Sequence, residues 1–239
     1  MEPSGRPRYD MKGLRLTELY PSIQGEGPRT GTVTIFVRFG GCNMRCPGWP
    51  CDTQHAIDPK IWRNDPVVEV KDLLDRIEAM PGDNVCITGG EPTMQPHQEL
   101  EDLALGLLDL GYSIDVFTNG SLHKFPEWMQ PHAVTVIMDW KLKGSGEQQS
   151  GVEIRWENAK WLDFKDCIKF VIATDDDFDE AASLWKAMTH DVHASFWAGV
   201  AWEHYKESQL IQRILDEDLP WRVNIQTHKY VWPGVEKGI

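Results

Sequence analysis

Three cysteines crowd into one short stretch of the sequence, at Cys42, Cys46 and Cys51. Their spacing, C-x3-C-x4-C, allows a single loop to wrap one face of a compact inorganic group. A structural zinc ion and a fully protein-ligated iron–sulfur cubane each take four ligands. Three thiolates on a 4Fe-4S cluster instead leave one iron open, which is what inner-sphere electron transfer to a substrate or cofactor needs. The count of three therefore favours a cluster with an open iron.

Other interpretations of the cysteines stay open at this point. A zinc ion could take its fourth ligand from His55 or from one of the two single cysteines, Cys86 and Cys167. A disulfide with one free thiol fits less well, because an odd cysteine count without a secretion signal does not suggest a disulfide framework. Cys86 and Cys167 lie within predicted strands, so we expect both to be small buried side chains.

The charge balance narrows the class of partner. The 239 residues include 24 Lys and Arg against 37 Asp and Glu, a formal charge of −13. Such acidity argues against a nucleic-acid backbone or an anionic membrane as the main partner, since both attract clustered basic side chains. No apolar stretch is long enough to span a bilayer, and the start from Met1 to Lys12 is polar. We expect one cytoplasmic domain, spanning 1–239, that acts on a small molecule.

Alternating strand and helix patterns surround the cysteine loop. Apolar runs that end in glycine or polar residues predict strands at 33–39, 84–88, 112–118, 133–138, 166–173, 194–200 and 222–226. Helical spacing of apolar residues predicts helices at 67–80, 96–110, 178–188 and 207–216. A repeated strand and helix order is typical of a parallel sheet, as an open doubly wound sheet or as a full or partial barrel.

Polar and glycine-rich segments follow several of the predicted strands. In both candidate architectures the chemistry collects at the carboxyl ends of the strands. The segments at those ends are Cys42 to Thr53, Gly89-Gly90-Glu91-Pro92, Thr118-Asn119-Gly120, Asp139-Trp140-Lys141 and Gln226-Thr227-His228-Lys229. Taken alone, GGEP is also a usual strand-to-helix turn with proline at the first helical position. Together, the five segments predict one shared pocket.

The cysteine loop and the GGEP segment together resemble the radical S-adenosylmethionine superfamily. In that superfamily three cysteines hold the cluster, and the amino and carboxylate groups of S-adenosylmethionine chelate the open iron. Further segments are similar to one family within it, the 7-carboxy-7-deazaguanine synthases. These segments are LYPSIQGEG at 19–27, CDT at 51–53, FTNG at 117–120, MDWK at 138–141, GSG at 144–146 and QTHK at 226–229.

The resemblance runs from about Leu14 to Tyr230 and implies an α/β fold, a shortened barrel of six parallel strands with fewer helices. It implies a lyase that converts 6-carboxy-5,6,7,8-tetrahydropterin to 7-carboxy-7-deazaguanine with loss of ammonia, in queuosine-type 7-deazapurine biosynthesis. The implied cofactors are a 4Fe-4S cluster, S-adenosylmethionine and Mg2+. The implied partners are the pterin substrate, a second copy of the chain in a homodimer, and an electron donor such as flavodoxin or ferredoxin.

Two other functions remain in view. A glycyl-radical-enzyme activating protein is also short and uses the same cluster, but it consumes S-adenosylmethionine only when its protein partner is present. A zinc-stabilised binding module would carry out no catalysis, and it would be colourless and free of iron.

The resemblance also implies roles for individual residues. The implied ligands of the cluster are Cys42, Cys46 and Cys51, and the implied ligand of Mg2+ is Thr53. Contacts to S-adenosylmethionine fall to Gly90, Glu91, Thr118 and Lys141, where backbone atoms can act in place of the Glu91 and Thr118 side chains. Contacts to the pterin fall to Gln24, Glu26, Arg38, Gln226 and His228.

The chemistry of these side chains suits the implied substrate. A carboxylate such as Glu26 can accept from the adjacent N–H donors of a guanine-like edge, and Arg38 can pair with the substrate carboxylate. Each residue also has a plain structural interpretation. Thr53 can be a turn or helix cap, Glu26 an exposed turn residue, Arg38 an outward strand residue and His228 a structural histidine.

The spacing of the cysteines departs from the commonest superfamily pattern, C-x3-C-x2-C. Here Pro47-Gly48-Trp49-Pro50 separates the last two cysteines, two residues more than in that pattern. We expect the proline and glycine residues to form a turn that lets the loop bulge while Trp49 covers the cluster.

Overall fold

A computed structural model of the chain describes residues 13–49, 51–147, 154, 156–235 and 237–238. The polar start from Met1 to Lys12, and Pro50 of the cysteine loop, lie outside the described residues. The strands are β1 (Leu14–Ile23), β2 (Val33–Phe39), β3 (Val67–Val68), β4 (Asn84–Gly89), β5 (Ser113–Thr118), β6 (Val134–Trp140), β7 (Cys167–Ile172), β8 (Ser195–Val200) and β9 (Arg222–Val223). The α-helices are α1 (Gln54–Ile57), α2 (Pro59–Trp62), α3 (Val70–Glu78), α4 (His97–Asp109), α5 (Trp156–Trp161), α6 (Asp175–Met188), α7 (Glu207–Asp216) and α8 (Thr227–Val231).

All the described strands join one sheet, in the order β3-β1-β2-β4-β5-β6-β7-β8-β9. Every neighbouring pair from β2 to β9 is parallel, whereas β1 runs antiparallel to both β2 and β3. The sheet stays open between its edge strands β3 and β9. The predicted α/β class with a partial parallel barrel is confirmed. Its six long parallel strands are β2 and β4 to β8, and the two-residue β9 extends them.

The longer helices turn one apolar face towards the sheet, and α6 also has a side-chain cap. In α3 the buried residues Leu73 and Ile77 are four positions apart, which places them on the same side of the helix. The longer α6 begins with a capping box, in which Thr174 Oγ1 accepts from Asp177 N at 3.2 Å and Thr174 N donates to the Asp177 carboxylate at 3.1 Å. Side chains from these helices pack with the strands into one large apolar core.

The opposite face of the sheet is more polar. Successive side chains of a strand point to opposite faces, so Ile168 and Phe170 of β7 enter the large core while Cys167 and Lys169 lie on the other side. This inner face also carries Asp139 of β6, whose carboxylate lies near Lys169. Charged residues therefore lie inside the partial barrel, where a site can use them.

The short helices α1, α2 and α5 were not predicted, and three differences concern the strands of the sheet. No strand was predicted at β1, which is the longest strand of the described sheet. The predicted helix at 67–80 begins only at Val70, because Val67 and Val68 pair with β1 as the edge strand β3. The predicted strand at 222–226 ends at Val223 and α8 follows from Thr227, because the residues between them bond to the segment after β1.

Two smaller expectations can be compared with the structure. Cys86 and Cys167 are fully buried within β4 and β7, as expected for small apolar side chains. Within the described ranges, no helix is long and apolar enough to cross a membrane.

Candidate active site

The backbone after β4 packs directly against the start of the cysteine loop. Gly90 N donates to Phe39 O at 3.0 Å, and Glu91 N donates to Gly41 O at 2.8 Å. A Cβ atom on Gly90 would lie 2.3 Å from Gly41 O and 2.9 Å from Cys42 Cβ, so no side chain fits there. Glycine at position 90 therefore lets this backbone edge reach the loop that carries the three cysteines.

Glu91 and Thr118, both predicted on the S-adenosylmethionine side, bond to each other. Thr118 Oγ1 donates to Glu91 Oε1 at 2.7 Å, and Asn119 N donates to Glu91 Oε2 at 2.7 Å. The backbone N–H and the hydroxyl of Thr93 also donate to Glu91 Oε1. Burial raises the pKa of Glu91, although these donors oppose the rise. The two side chains therefore tie the ends of β4 and β5 together.

The three cysteines of the loop are half-buried free thiols. Burial raises the pKa of the Cys42 thiol to about 12 and that of the Cys46 thiol to about 11. Across the ranges that the structure describes, no three Cys, His, Asp or Glu side chains are gathered as a metal-binding group. The structure thus places the thiols on one loop without bringing them into one ligand set.

The residues that follow the last cysteine have specific contacts. Thr53 precedes α1, but its hydroxyl makes no capping bond to that helix and lies 3.4 Å from Cys51 Sγ. His55, a possible fourth ligand for zinc, has its Nε2 atom 3.1 Å from Glu18 Oε2. The side chain of Thr53 therefore does not act as the helix cap that its position suggested, and His55 is engaged by Glu18.

Lys141 lies just after β6 and near the cysteine loop. Its Nζ atom donates to Asp139 Oδ2 at 2.8 Å. Burial would lower the pKa of Lys141, but Asp139 and Cys46 together raise it above its ordinary value. Asp139 Oδ2 also lies 3.6 Å from Lys169 Nζ. The Lys141 ammonium therefore interacts electrostatically with Cys46, and Asp139 links Lys141 to the buried Lys169.

The segment 24–27 crosses from the end of β1 towards the opposite edge of the sheet. There, Gly27 N donates to Asn224 Oδ1 at 2.9 Å. A Cβ atom on Gly25 would lie 2.6 Å from His228 Nδ1, so glycine lets the segment pack against this histidine. Burial lowers the pKa of His228. The segment thereby links the end of β1 to the residues that follow β9.

Glu26 lies within that segment and is held from two sides. Lys169 Nζ donates to Glu26 Oε2 at 2.9 Å, and Gln226 Nε2 donates to Glu26 Oε1 at 2.8 Å. Burial would raise the pKa of Glu26, but Lys169 and Gln226 outweigh it and lower the pKa below its ordinary value. Glu26 is therefore an ionised carboxylate with only 13% of its side chain exposed, in place of an exposed turn residue.

Two hydrogen-bond acceptor atoms near Glu26 have no donor among the described residues. Among the residues that the structure describes, Gln226 Oε1 and Asp139 Oδ1 are buried and make no hydrogen bond. Buried polar atoms normally have a partner, so these oxygens are positions where a bound molecule would donate.

Lys169 was not among the site residues predicted from the sequence. Its strand, CIKFVI, is apolar except for this lysine, whose side chain is only 9% exposed. Lysine is almost never buried without a partner, so its presence in a buried strand is the signal that could have revealed it. The partner, Glu26, lies 143 positions away in the sequence.

Gln24 has a different environment from Glu26. Its Nε2 atom donates to Asp115 Oδ2 at 3.1 Å, and Asn84 Nδ2 donates to the same oxygen at 3.0 Å. The Arg29 guanidinium pairs with the other oxygen of Asp115. The Gln24 side chain thus belongs to a buried polar network near the amino ends of β4 and β5, and the structure does not bring its amide to the Glu26 carboxylate.

Arg38 points into the molecule and is paired. Its Nε atom donates to Glu18 Oε2 at 2.7 Å, and its Nη2 atom donates to the Tyr20 hydroxyl at 3.5 Å. Burial would lower the pKa of Arg38, but Tyr20 and Glu18 raise it above its ordinary value. Glu18, which the sequence analysis also missed, contacts both Arg38 and His55 and so links β2 to the residues after the cysteine loop.

Comparison with known proteins identifies the class to which this fold and site belong. Residues 36–133 match the family model described as Radical SAM superfamily. The sheet resembles that of QueE from Escherichia coli, with a TM-score of 0.67, 24% identity and coverage of 89% of this chain and 93% of that chain. A likeness at this identity supports the fold.

The curated relatives define the family more narrowly. A 7-carboxy-7-deazaguanine synthase of Methanospirillum hungatei is 33% identical over 96% of this chain and 92% of its own length. A 7-carboxy-7-deazaguanine synthase of Koribacter versatilis is 31% identical over 95% of this chain and its full length. The chain belongs to the 7-carboxy-7-deazaguanine synthase family of radical S-adenosylmethionine enzymes.

Membership in this superfamily implies a 4Fe-4S cluster and S-adenosylmethionine. The described residues fit both groups. Three thiols on one loop are the donors that leave one iron of a cubane open, and the side-chain-free edge at Gly90 lies directly against Cys42.

Proposed function

We propose that this chain makes 7-carboxy-7-deazaguanine from 6-carboxy-5,6,7,8-tetrahydropterin and releases ammonia. Both curated relatives described above carry the name of the enzyme that makes this product. The observation that carries the proposal is the mostly buried Glu26 carboxylate, which Lys169 and Gln226 hold in the segment after β1. When bound, the cluster and S-adenosylmethionine supply the 5′-deoxyadenosyl radical that removes hydrogen from C6 of the pterin.

On the cluster side, Cys42, Cys46 and Cys51 would be the three ligands. The backbone at Gly90, which packs against Gly41 and Cys42, would bind the methionine part of S-adenosylmethionine. Lys141 would add a positive charge beside the cluster. Glu91 and Thr118 would act indirectly, by holding the ends of β4 and β5 in register.

On the substrate side, Glu26 would bind the pterin ring. A guanine-like edge has adjacent N–H donors, and an ionised carboxylate accepts from two donors at once. Lys169 keeps Glu26 ionised inside the protein, where burial alone would favour the protonated form. The unpaired Gln226 Oε1 supports an additional contact, and His228 borders the same segment.

The substrate carboxylate would bind near Arg38 and Thr53. Glu18 and Tyr20 hold the Arg38 guanidinium in one orientation, in which it would pair with the substrate carboxylate. The Thr53 hydroxyl, free of a capping bond, would be an oxygen ligand of Mg2+ together with the substrate carboxylate. We also propose a homodimer in the cytoplasm that takes its electron from a small redox protein such as flavodoxin or ferredoxin.

An anaerobic assay tests this function. Reconstituted protein is incubated with 6-carboxytetrahydropterin, S-adenosylmethionine, Mg2+ and a reductant, and the deazaguanine product is measured. Glu26→Gln is expected to reduce kcat/KM about 10- to 100-fold, since it removes charge-assisted hydrogen bonds to the ring. Glu78→Gln, on the exposed side of α3, is the matched control and keeps wild-type activity.

Two outcomes would contradict the proposal. Brown, iron-loaded wild-type protein that cleaves S-adenosylmethionine but yields no deazaguanine product would exclude the proposed substrate. Cleavage that occurs only after a partner protein is added would point to an activating enzyme instead.

A further inference from the structure

The extended part of the cysteine loop packs against one turn of the chain. This turn, residues 143–147, follows β6, and we call it the KGSGE turn. Gly48 N donates to Ser145 O at 3.0 Å. A Cβ atom on Gly48 would lie 1.7 Å from Gly144 O, so the two backbones are in direct contact. The residues that lengthen the spacing between Cys46 and Cys51 therefore do not form an unsupported bulge.

The Glu147 side chain adds hydrogen bonds between the KGSGE turn and the cysteine loop. One carboxylate oxygen, Oε1, accepts from both Arg45 N and Cys46 N. Cys46 has a φ of +43°, in the left-handed region that residues other than glycine seldom adopt. Successive N–H groups in such a conformation form a concave site for an anion, and here the anion is the Glu147 carboxylate. Glu147 is only 2% exposed, so water screens this interaction poorly.

The KGSGE turn is itself anchored to α6. Gly144 N donates to Asp177 Oδ1 at 2.8 Å, and Lys143 N donates to Glu180 Oε2 at 2.8 Å. Asp177 is the same residue that completes the capping box of α6. The position of Glu147 is therefore set by a helix of the scaffold.

We propose that Glu147 is a positioning residue for Cys46 and that its charge lowers the reduction potential of the cluster. This inference rests on the proposed role of Cys46 as a cluster ligand. The carboxylate holds the ligand's backbone in a strained conformation, which makes the longer spacing compatible with cluster binding. It also places a buried negative charge beside the cluster and engages two N–H groups that could otherwise donate to cluster sulfur. Both effects disfavour addition of an electron.

Glu147→Gln tests the effect of charge. Glutamine keeps the shape and one acceptor oxygen but removes the negative charge, so the midpoint potential of the reconstituted protein is expected to become more positive. Glu78→Gln, the same change on the exposed side of α3, is the matched control. Its potential should equal that of the wild type. Equal potentials in wild type and Glu147→Gln would overturn the proposed effect on the cluster.

Hydrogen exchange of the iron-free protein tests the positioning role. In Glu147→Ala the amides of 42–49 are expected to exchange about tenfold faster than in the wild type, while those of β4 to β8 stay protected. Unchanged exchange in 42–49 would overturn this role. Both experiments are independent of the pterin. A shifted potential in a protein that makes no deazaguanine would retain this inference and reject the proposed substrate.

Discussion

The two sides of the candidate site are held together in different ways. On the substrate side, Glu26 is fixed by Lys169 and Gln226, all of them residues of the chain itself. On the cluster side, the thiols share a loop but form no ligand set among the described residues. Opposite charges attract each other and can preassemble a site, whereas neutral thiols must lose their protons to a metal before they act as ligands. The substrate side should therefore form without the cluster.

The largest expected effect comes from removing a cluster ligand. Cys46→Ser should abolish iron binding and reduce product formation more than about 1,000-fold, because the radical would come from the cluster and S-adenosylmethionine and the protein itself cannot replace them. Cys86→Ala, a change at a buried cysteine of β4, is the control and should keep its iron. Iron analysis and the anaerobic assay check both variants. Full activity in Cys46→Ser would show that the loop does not bind the cluster.

A smaller effect is expected from Lys169. Lys169→Met keeps the length of the side chain but removes the ammonium, so Glu26 loses the partner that holds it ionised. We expect kcat/KM to fall about 100-fold, mostly through KM for the pterin, with unchanged iron content. Lys169→Arg should recover part of the loss because it restores the charge. A loss of iron from Lys169→Met would show that the substrate side and the cluster side are not held independently.

The smallest expected effect is on the pH dependence of folding stability. The folded pKa of Glu26 is lowered, so its contribution to stability is present above the pKa of the unfolded chain and is lost as pH falls through the folded value. In Lys169→Met burial dominates and raises the folded pKa of Glu26 above its unfolded value, so the contribution of Glu26 to stability should instead increase as pH falls. Urea unfolding of the iron-free protein between pH 4 and pH 7 measures this shift. Identical pH profiles would show that Lys169 does not control Glu26.

The parallel part of the sheet could be predicted from the sequence because its strands are short apolar runs that end in glycine or polar residues. β1 was missed because its residues LRLTELYPSI mix apolar and polar positions without strict alternation, and pairing with β2 settles its conformation. The end of the chain was misassigned for a similar reason. Residues 224–227 bond to the segment after β1, a contact that no local pattern encodes.

The candidate site could be predicted where short motifs carry it. Gly90 follows from GGEP, and Glu26 follows from SIQGEG. Two of the residues that were missed, Lys169 and Glu147, act through partners more than 100 positions away in the sequence, so only the fold brings them to the site. For Glu91 and Gln24, by contrast, the motif was recognised in the sequence, but the sequence did not show that their side chains hydrogen-bond to other residues of the protein.

Pterin binding by iron-free protein tests the central comparison most directly. The affinity for 6-carboxytetrahydropterin with Mg2+ is measured by equilibrium titration for the wild type, Cys46→Ser and Glu26→Gln. We predict that Cys46→Ser binds within about threefold of the wild type, and that Glu26→Gln binds about tenfold or more weakly. Equal affinities in wild type and Glu26→Gln, or loss of binding in Cys46→Ser, would contradict the assignment of Glu26 to a preassembled pterin site.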